Sequence, residues 1–157
     1  MTCRSSPARV AGVDPDPEYC LFDDDMRKIY DLLQSCDAIV LGSPVYFDSV
    51  SAQTKLMIDR CNCLMPYVEH TDGTFDFERR MKKPKRGVFV AVAGSDQEFD
   101  TIKATIKGFF NWTNTEVDHV ILYPHDDTAL GGVKNDPEKM REAFETGVQL
   151  VHQAEHA

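Results

Sequence analysis

Two aromatic side chains lie in a segment whose composition suits the binding of a small ring. Gly42-Ser43-Pro44-Val45-Tyr46-Phe47 follows an apolar run with a tight turn, hydroxyl or backbone donors, and two rings. If the run is a strand of an open α/β sheet, the segment lies at the carboxyl edge, where such sheets bind ligands. It could hold a flat, partly polar ring there. Alternatively, the two aromatic side chains could cover the hydrophobic core, and Pro44 could simply end the strand. The residues alone leave both interpretations open.

Nucleophilic and metal-binding residues show no comparable grouping. We predict no catalytic side chain, because no nucleophile paired with a base is apparent. Cys61 and Cys63 could bind a metal, but they fall in a helical pattern that favours buried cysteines. The histidines are scattered, and His125 alone among them closely follows a predicted strand. Chemistry supplied by a bound cofactor would need none of these groups.

Alternating strands and helices must position the candidate segment. Apolar runs predict strands over 38–41, 88–93 and 117–123, and apolar residues at spacings of three and four predict helices that begin near Asp23, Ser51, Phe99 and Asp136. The run Ala38–Leu41 is continuous, which is typical of a strand buried on both faces of a parallel sheet. Residues 66–86 form a long polar connection that ends in a basic cluster, which we interpret as a solvated loop. The predicted class is α/β with a parallel sheet.

Composition excludes several classes of protein. The chain has 157 residues and a net charge of -9, which disfavours nucleic-acid binding, because that binding uses Lys and Arg to displace counterions. No apolar run reaches the roughly 20 residues of a membrane span, and the amino-terminal segment lacks the apolar core of an export signal. Five cysteines are too few for a disulfide scaffold, and their odd number leaves one unpaired, so we expect a cytoplasmic protein.

The region from Asp24 to Arg60 resembles a known family. Asp37-Ala38-Ile39-Val40-Leu41-Gly42-Ser43-Pro44-Val45-Tyr46-Phe47 and the following Ser49-Val50-Ser51-Ala52-Gln53 closely match NADPH-dependent FMN reductases. The resemblance is strongest to the flavodoxin-like branch that includes the iron–sulfur flavoproteins. It implies a three-layer flavodoxin-like sandwich, bound FMN, and NAD(P)H as co-substrate.

The resemblance also implies which residues contact the flavin. It assigns the first wall of the flavin site to Ser43, Pro44, Val45, Tyr46 and Phe47. It assigns a second wall, by a looser match over residues 93–98, to Gly94, Ser95 and Gln97. The family pattern has two glycines before its Gln-Glu pair, whereas Gly94 is followed here by Ser95-Asp96.

The amino-terminal part departs from the family pattern. Residues 1–22 are rich in proline, serine and glycine and are predicted to be irregular, so residues 23–157 form the single predicted domain. Family members begin with a strand and a phosphate loop, of which Ser6-Pro7-Ala8-Arg9 retains only a faint match. Cys3 and Cys20 alone correspond to the cysteines of an iron–sulfur site, and a four-iron cluster uses four thiolates, so we expect no cluster.

An amino-terminally truncated sheet would leave a strand without a neighbour. Ala38–Leu41 would then form an open edge, which promotes association with other chains. We predict that a second copy, another chain or the amino-terminal segment covers this edge.

The sequence is compatible with three functions. The leading hypothesis is an FMN-dependent NAD(P)H oxidoreductase. The first alternative is a flavin-binding electron carrier without pyridine-nucleotide activity. The second is a shortened, non-catalytic partner subunit, which the poor match to the phosphate loop favours.

Overall fold

The chain alternates helices and strands as the apolar patterns predict. The computed structural model of the protein describes residues 22, 24–94, 98–125 and 131–155. In chain order the elements are α1 (Met26–Ser35), β1 (Ala38–Tyr46), β2 (Ser49–Val50), α2 (Ala52–Arg60), β3 (Tyr67–Glu69), β4 (Phe75–Phe77), β5 (Lys85–Gly94), α3 (Asp100–Trp112), β6 (Thr115–His125) and α4 (Pro137–Ala154). Short 3-10 helices follow α2 and precede α4. No helix in these ranges is both long and apolar enough to cross a membrane.

Three long strands form a parallel sheet in the order β1, β5, β6, with β2 added antiparallel at the outer end of β1. The register between β1 and β5 runs from Ala38 opposite Arg86 to Pro44 opposite Val92. At Gly87, where β5 meets β6, an added Cβ would lie 2.6 Å from a methyl group of Thr115. Glycine is therefore required for the two strands to approach this closely.

Helices cover both faces of the sheet. On one face α1 and α3 bury Tyr30 and Ile102 against Phe89 of β5, all three fully buried. On the other face α4 packs Leu150 against Val88 of β5 and Ile121 of β6. This arrangement confirms the predicted α/β class with a mostly parallel central sheet and helices on both sides.

The first strand differs from its prediction in length and burial. It continues past Leu41 to Tyr46, because Pro44 lies in an edge strand, where a missing backbone N–H need not break the ladder. It is also not buried on both faces, since Val40 is 64% exposed where α4 covers the neighbouring strands. Among the described residues, the outer edge of Ala38–Pro44 has no strand partner.

The long connection before β5 is more ordered than predicted. Its strands β3 and β4 pair as a separate hairpin, in which the rings of Tyr67 and Phe75 stack with centroids 5.0 Å apart. The basic cluster is also not simply solvated, because Lys85 is 1% exposed and its ammonium donates to the carbonyl of Thr113 at 3.1 Å. That carbonyl belongs to the residue that ends α3, a position where a cation is favourable. Lys85 therefore has a structural role in the core.

Candidate functional site

The strand β1 reverses into β2 through a two-residue turn at the carboxyl edge of the sheet. Tyr46 pairs with Ser49, and the two residues between them, Phe47 and Asp48, have φ values of +51° and +55°. Positive φ at both central residues is the geometry of a type I′ hairpin turn, which usually has Asn-Gly or Asp-Gly. A bulky aromatic residue in this conformation is a genuine outlier. The turn holds its aromatic side chain at a cost in conformational free energy.

The alternation of the strand divides the predicted first wall into two groups. Val45 is buried and packs in the core beneath α1 and α3, and Ser43, on the same face of the strand, is buried too. Pro44 and Tyr46 project from the opposite face and are exposed, and Phe47 at the turn is 96% exposed. The outward side of this segment is therefore made of proline and two aromatic rings.

The buried hydroxyl of Ser43 supports the turn from inside. Its Oγ accepts the backbone N–H of Ser51 at 2.9 Å, and Ser51 in turn caps α2 by accepting the N–H of Thr54 at 3.3 Å. The hydroxyl thus fixes the point where β2 passes into α2. Any contact between Ser43 and a ligand at the outward surface would have to come from its backbone.

The end of β5 lies next to this turn. Gly94 is the last residue of β5 and pairs with His125 of β6, and a Cβ added to Gly94 would meet nothing within 4 Å. The backbone N–H of Glu98 donates to the Oδ1 atom of Asp48 at 2.7 Å. The structure therefore brings the first predicted wall and Gly94 of the second to the same edge of the sheet. Asp48 was missed by the sequence analysis, since its partner is 50 residues away in the chain.

Several predicted features fall outside the described residues. These are Ser95 and Gln97 of the second wall, the faint phosphate-loop match Ser6-Pro7-Ala8-Arg9, the cysteines Cys3 and Cys20, and the side chain of His125. Their contribution to the site stays a prediction.

The two cysteines that could have bound a metal are buried, as the helical pattern predicted. Cys61 and Cys63 are 2% and 3% exposed. Burial raises the pKa of both thiols, that of Cys61 to about 12. A neutral, buried thiol is a poor ligand and a poor nucleophile. Within the described ranges no cluster of three or more His, Cys, Asp or Glu side chains could hold a metal ion.

Comparison with known sequences identifies relatives over most of the chain. The sequence model of a family described as "NADPH-dependent FMN reductase" matches residues 7–122. An iron–sulfur flavoprotein from Methanosarcina thermophila is 28% identical over 149 residues, which cover 93% of this chain and 66% of that protein. An iron–sulfur flavoprotein from Archaeoglobus fulgidus is 37% identical over 75 residues, which cover 48% of this chain and 33% of that protein. The chain spans about two thirds or less of the length of these relatives.

Solved structures with low sequence identity share the fold. A flavone reductase superposes with a TM-score of 0.64 at 21% identity, covering 88% of this chain and 48% of that one. The Trp repressor binding protein from Bacillus subtilis superposes with a TM-score of 0.57 at 19% identity, covering 78% and 70% of the two chains. These likenesses confirm the predicted flavodoxin-like α/β fold.

Proposed function

The chain belongs to the NADPH-dependent FMN reductase family, and we propose that it binds FMN at the carboxyl edge of its sheet and acts as an FMN-dependent NAD(P)H oxidoreductase. One observation carries this proposal. The rings of Tyr46 and Phe47 are 61% and 96% exposed at the end of β1, next to the end of β5. Exposed rings at this edge match the place where doubly wound sheets bind cofactors.

The residues present fit a flavin ring by their chemistry. Pro44, Tyr46 and Phe47 offer an apolar and aromatic surface, on which a planar ring gains stacking energy. Gly94 leaves open space above the end of β5, where a larger side chain would intrude. The backbone N–H and C=O groups of the turn are of the type that recognises the polar edge of a ring. The side chains of this segment would therefore bind a ring by stacking, and its backbone would bind the polar edge of the ring by hydrogen bonds.

The protein's own part in the proposed reaction is to bind and orient. When bound, FMN supplies the hydride and electron chemistry. The side chains of Tyr46 and Phe47 cover the ring and exclude water from it. The buried Ser43 and Ser51 hold the start of α2 and thus the position of the β1–β2 turn. No protonating side chain is assigned to the reaction.

The experiment that tests the function is a flavin titration followed by reduction. Purified protein is mixed with FMN, the bound flavin is measured by its visible absorption and by quenching of its fluorescence, and NADPH or NADH is added without oxygen. Bleaching of bound flavin by either nucleotide supports the proposal. Bound flavin that neither nucleotide bleaches would instead identify an electron carrier. Protein that takes up no FMN would refute both flavin functions.

A matched pair of variants tests the location of the site. Phe47→Ala removes an exposed ring from the β1–β2 turn, and Phe75→Ala removes a 50% exposed ring from the β3–β4 hairpin. We expect Phe47→Ala to weaken FMN binding about twofold to tenfold, the equivalent of one aromatic contact. Phe75→Ala should leave FMN binding unchanged. Equal effects of the two substitutions would show that the flavin does not lie at this turn.

A further inference from the structure

The β1–β2 turn is attached to a distant part of the chain by one side chain. The Oδ1 atom of Asp48 accepts the backbone N–H of Glu98 at 2.7 Å. Glu98 lies two residues before Asp100, the first residue of α3. The bond therefore joins the tip of a hairpin to the segment that leads into a helix packed in the core. Because the acceptor is a carboxylate, the bond is stronger than one between neutral groups.

Neighbouring side chains of the turn point to different surroundings. Phe47 is 96% exposed, whereas Asp48 is partly buried against the segment before α3. Both residues have positive φ, a conformation that aspartate tolerates far better than phenylalanine. The backbone strain of the turn therefore lies at Phe47, whose ring is exposed. Asp48 adopts the same conformation with little strain, and its carboxylate holds the turn in place.

A turn in this conformation needs an external restraint to remain in it. Residues held at sparsely populated backbone angles persist only where the surrounding structure determines them. The ladder between β1 and β2 is short, with the pairs Val45–Val50 and Tyr46–Ser49. The hydrogen bond from Glu98 is an additional restraint, and it acts at the residue directly after Phe47. The direction of the phenyl ring is therefore coupled to this bond.

We infer that Asp48 is a positioning residue for cofactor binding: its carboxylate fixes the β1–β2 turn to Glu98 and so holds the Phe47 ring in place for the flavin. The inference rests on the proposed function and adds to it a residue that acts through another. Asp48 needs no contact with the flavin. Asp48 restricts the motion of the Phe47 side chain before FMN binds. The entropy cost of ordering that side chain on binding is therefore smaller.

Two substitutions at Asp48 separate the hydrogen bond from the backbone conformation. Asp48→Asn keeps an Oδ1 acceptor and a residue type that tolerates positive φ. Asp48→Gly also tolerates positive φ but removes the acceptor. We expect Asp48→Gly to weaken FMN binding about threefold to tenfold, and by no more than Phe47→Ala does, because Asp48 acts only through that ring; Asp48→Asn should remain within about twofold of the native protein. FMN binding as weak in Asp48→Asn as in Asp48→Gly would refute a role for the acceptor.

The same substitution in another hairpin is the matched control. Asp72 accepts the backbone N–H of Thr74 at 2.9 Å in the connection between β3 and β4, which contains none of the predicted flavin residues. Asp72→Gly therefore removes an exposed carboxylate and a turn hydrogen bond without affecting the β1–β2 turn. We expect it to leave FMN binding unchanged. A loss equal to that of Asp48→Gly would show a general effect of weakened loops.

A double-mutant cycle tests whether Asp48 acts through Phe47. In the Phe47→Ala background the ring is absent, so Asp48→Gly should change FMN binding by less than twofold. A loss in that background as large as the loss that Asp48→Gly causes when Phe47 is present would overturn the inference, because Asp48 would then act by another route.

Hydrogen exchange keeps this test separate from the test of the function. In the ligand-free protein, the Glu98 amide should exchange at least tenfold faster in Asp48→Gly than in Asp48→Asn. Unchanged exchange in Asp48→Gly would refute the anchor itself. A native protein that takes up no FMN would refute the proposed function and the positioning role, while the exchange result would still decide whether the anchor exists.

Discussion

Replacing Phe47 by asparagine should make the protein more stable and its flavin binding weaker. Phe47 has a φ of +51°, in the left-handed region, which costs an L-residue with an ordinary side chain about 1–2 kcal/mol. Asparagine tolerates this region and is preferred in two-residue hairpin turns of this type. The ring is 96% exposed, so its removal sacrifices almost no buried apolar area. We expect Phe47→Asn to raise the free energy of unfolding by about 1 kcal/mol.

The predicted gain is large enough to measure. For a chain of 157 residues, 1 kcal/mol corresponds to a rise in Tm of about 2–4 °C. Urea unfolding followed by circular dichroism gives the free energy, and calorimetry gives the Tm. In the same samples, titration with FMN should show binding about twofold to tenfold weaker, because one stacking surface is missing. The two changes should therefore have opposite signs.

Tyr46→Asn is the matched control. Tyr46 is also an exposed aromatic residue of the turn region, but it lies in the extended strand β1, where asparagine is unfavourable. This substitution should weaken FMN binding without any gain in stability. If Phe47→Asn left the free energy of unfolding unchanged or lowered it, the strain assigned to the turn would be refuted. If it stabilised the protein but left FMN binding intact, the ring would have no part in the site.

Two further predictions concern the sheet edge and the core. We propose that a second chain, either another copy or a different protein, covers the outer edge of β1. The outward-facing amides of Ala38–Leu41 should then exchange slowly with solvent in the purified assembly. Rapid exchange of these amides, measured by mass spectrometry, would contradict this. Burial raises the pKa of Cys61 to about 12, above its value of about 8.5 in unfolded chains. The neutral thiol therefore contributes its full share to the free energy of unfolding below about pH 8.5. This contribution is lost as the pH rises toward about 12, because the unfolded chain then loses the thiol proton more readily than the folded one. Urea unfolding across this range should show a smaller loss of stability in Cys61→Ala, and an equal loss in both proteins would argue against it.

Local sequence signals predicted the elements where those signals act alone. The start of α4 was predicted from Asp136-Pro137, and the Asp136 carboxylate does accept the N–H of Lys139 at 2.9 Å. The central strand β5 was predicted from its apolar run, and it pairs along its length with β1 on one side and β6 on the other. In both places the local preference and the tertiary environment agree, which is why sequence patterns are reliable there.

The first strand shows where local signals are insufficient. Gly42 and Pro44 punctuate the sequence and indicate a turn, yet both residues pair in register with β5. Whether proline can remain in a strand depends on whether its side of the strand faces another strand, which is a tertiary property. The burial of Ser43 and Val45 could not be predicted for the same reason. Side chains alternate between the two faces of the sheet only if the strand continues past Leu41, and the sequence did not show that it does. The sequence therefore placed the candidate segment at the carboxyl edge of the sheet without showing which of its side chains face outward.

The β1–β2 turn breaks a local rule of backbone conformation. The starts of α2 and α4 have side-chain caps at Ser51 and Asp136, whereas the turn has a bulky residue at positive φ with its ring in solvent. An Asn-Gly turn would satisfy the same hairpin at lower free energy. Local conflicts of this kind are expected at functional sites, where the structure must hold a group that stability alone would not select. The strained residue lies at the carboxyl edge of the sheet, beside the end of β5, and the carboxylate of the next residue, Asp48, joins the turn to Glu98 in the segment before α3. A binding role for Phe47 explains the strain, the exposure and the anchor together, whereas a core-capping role explains none of them, because the ring covers no core.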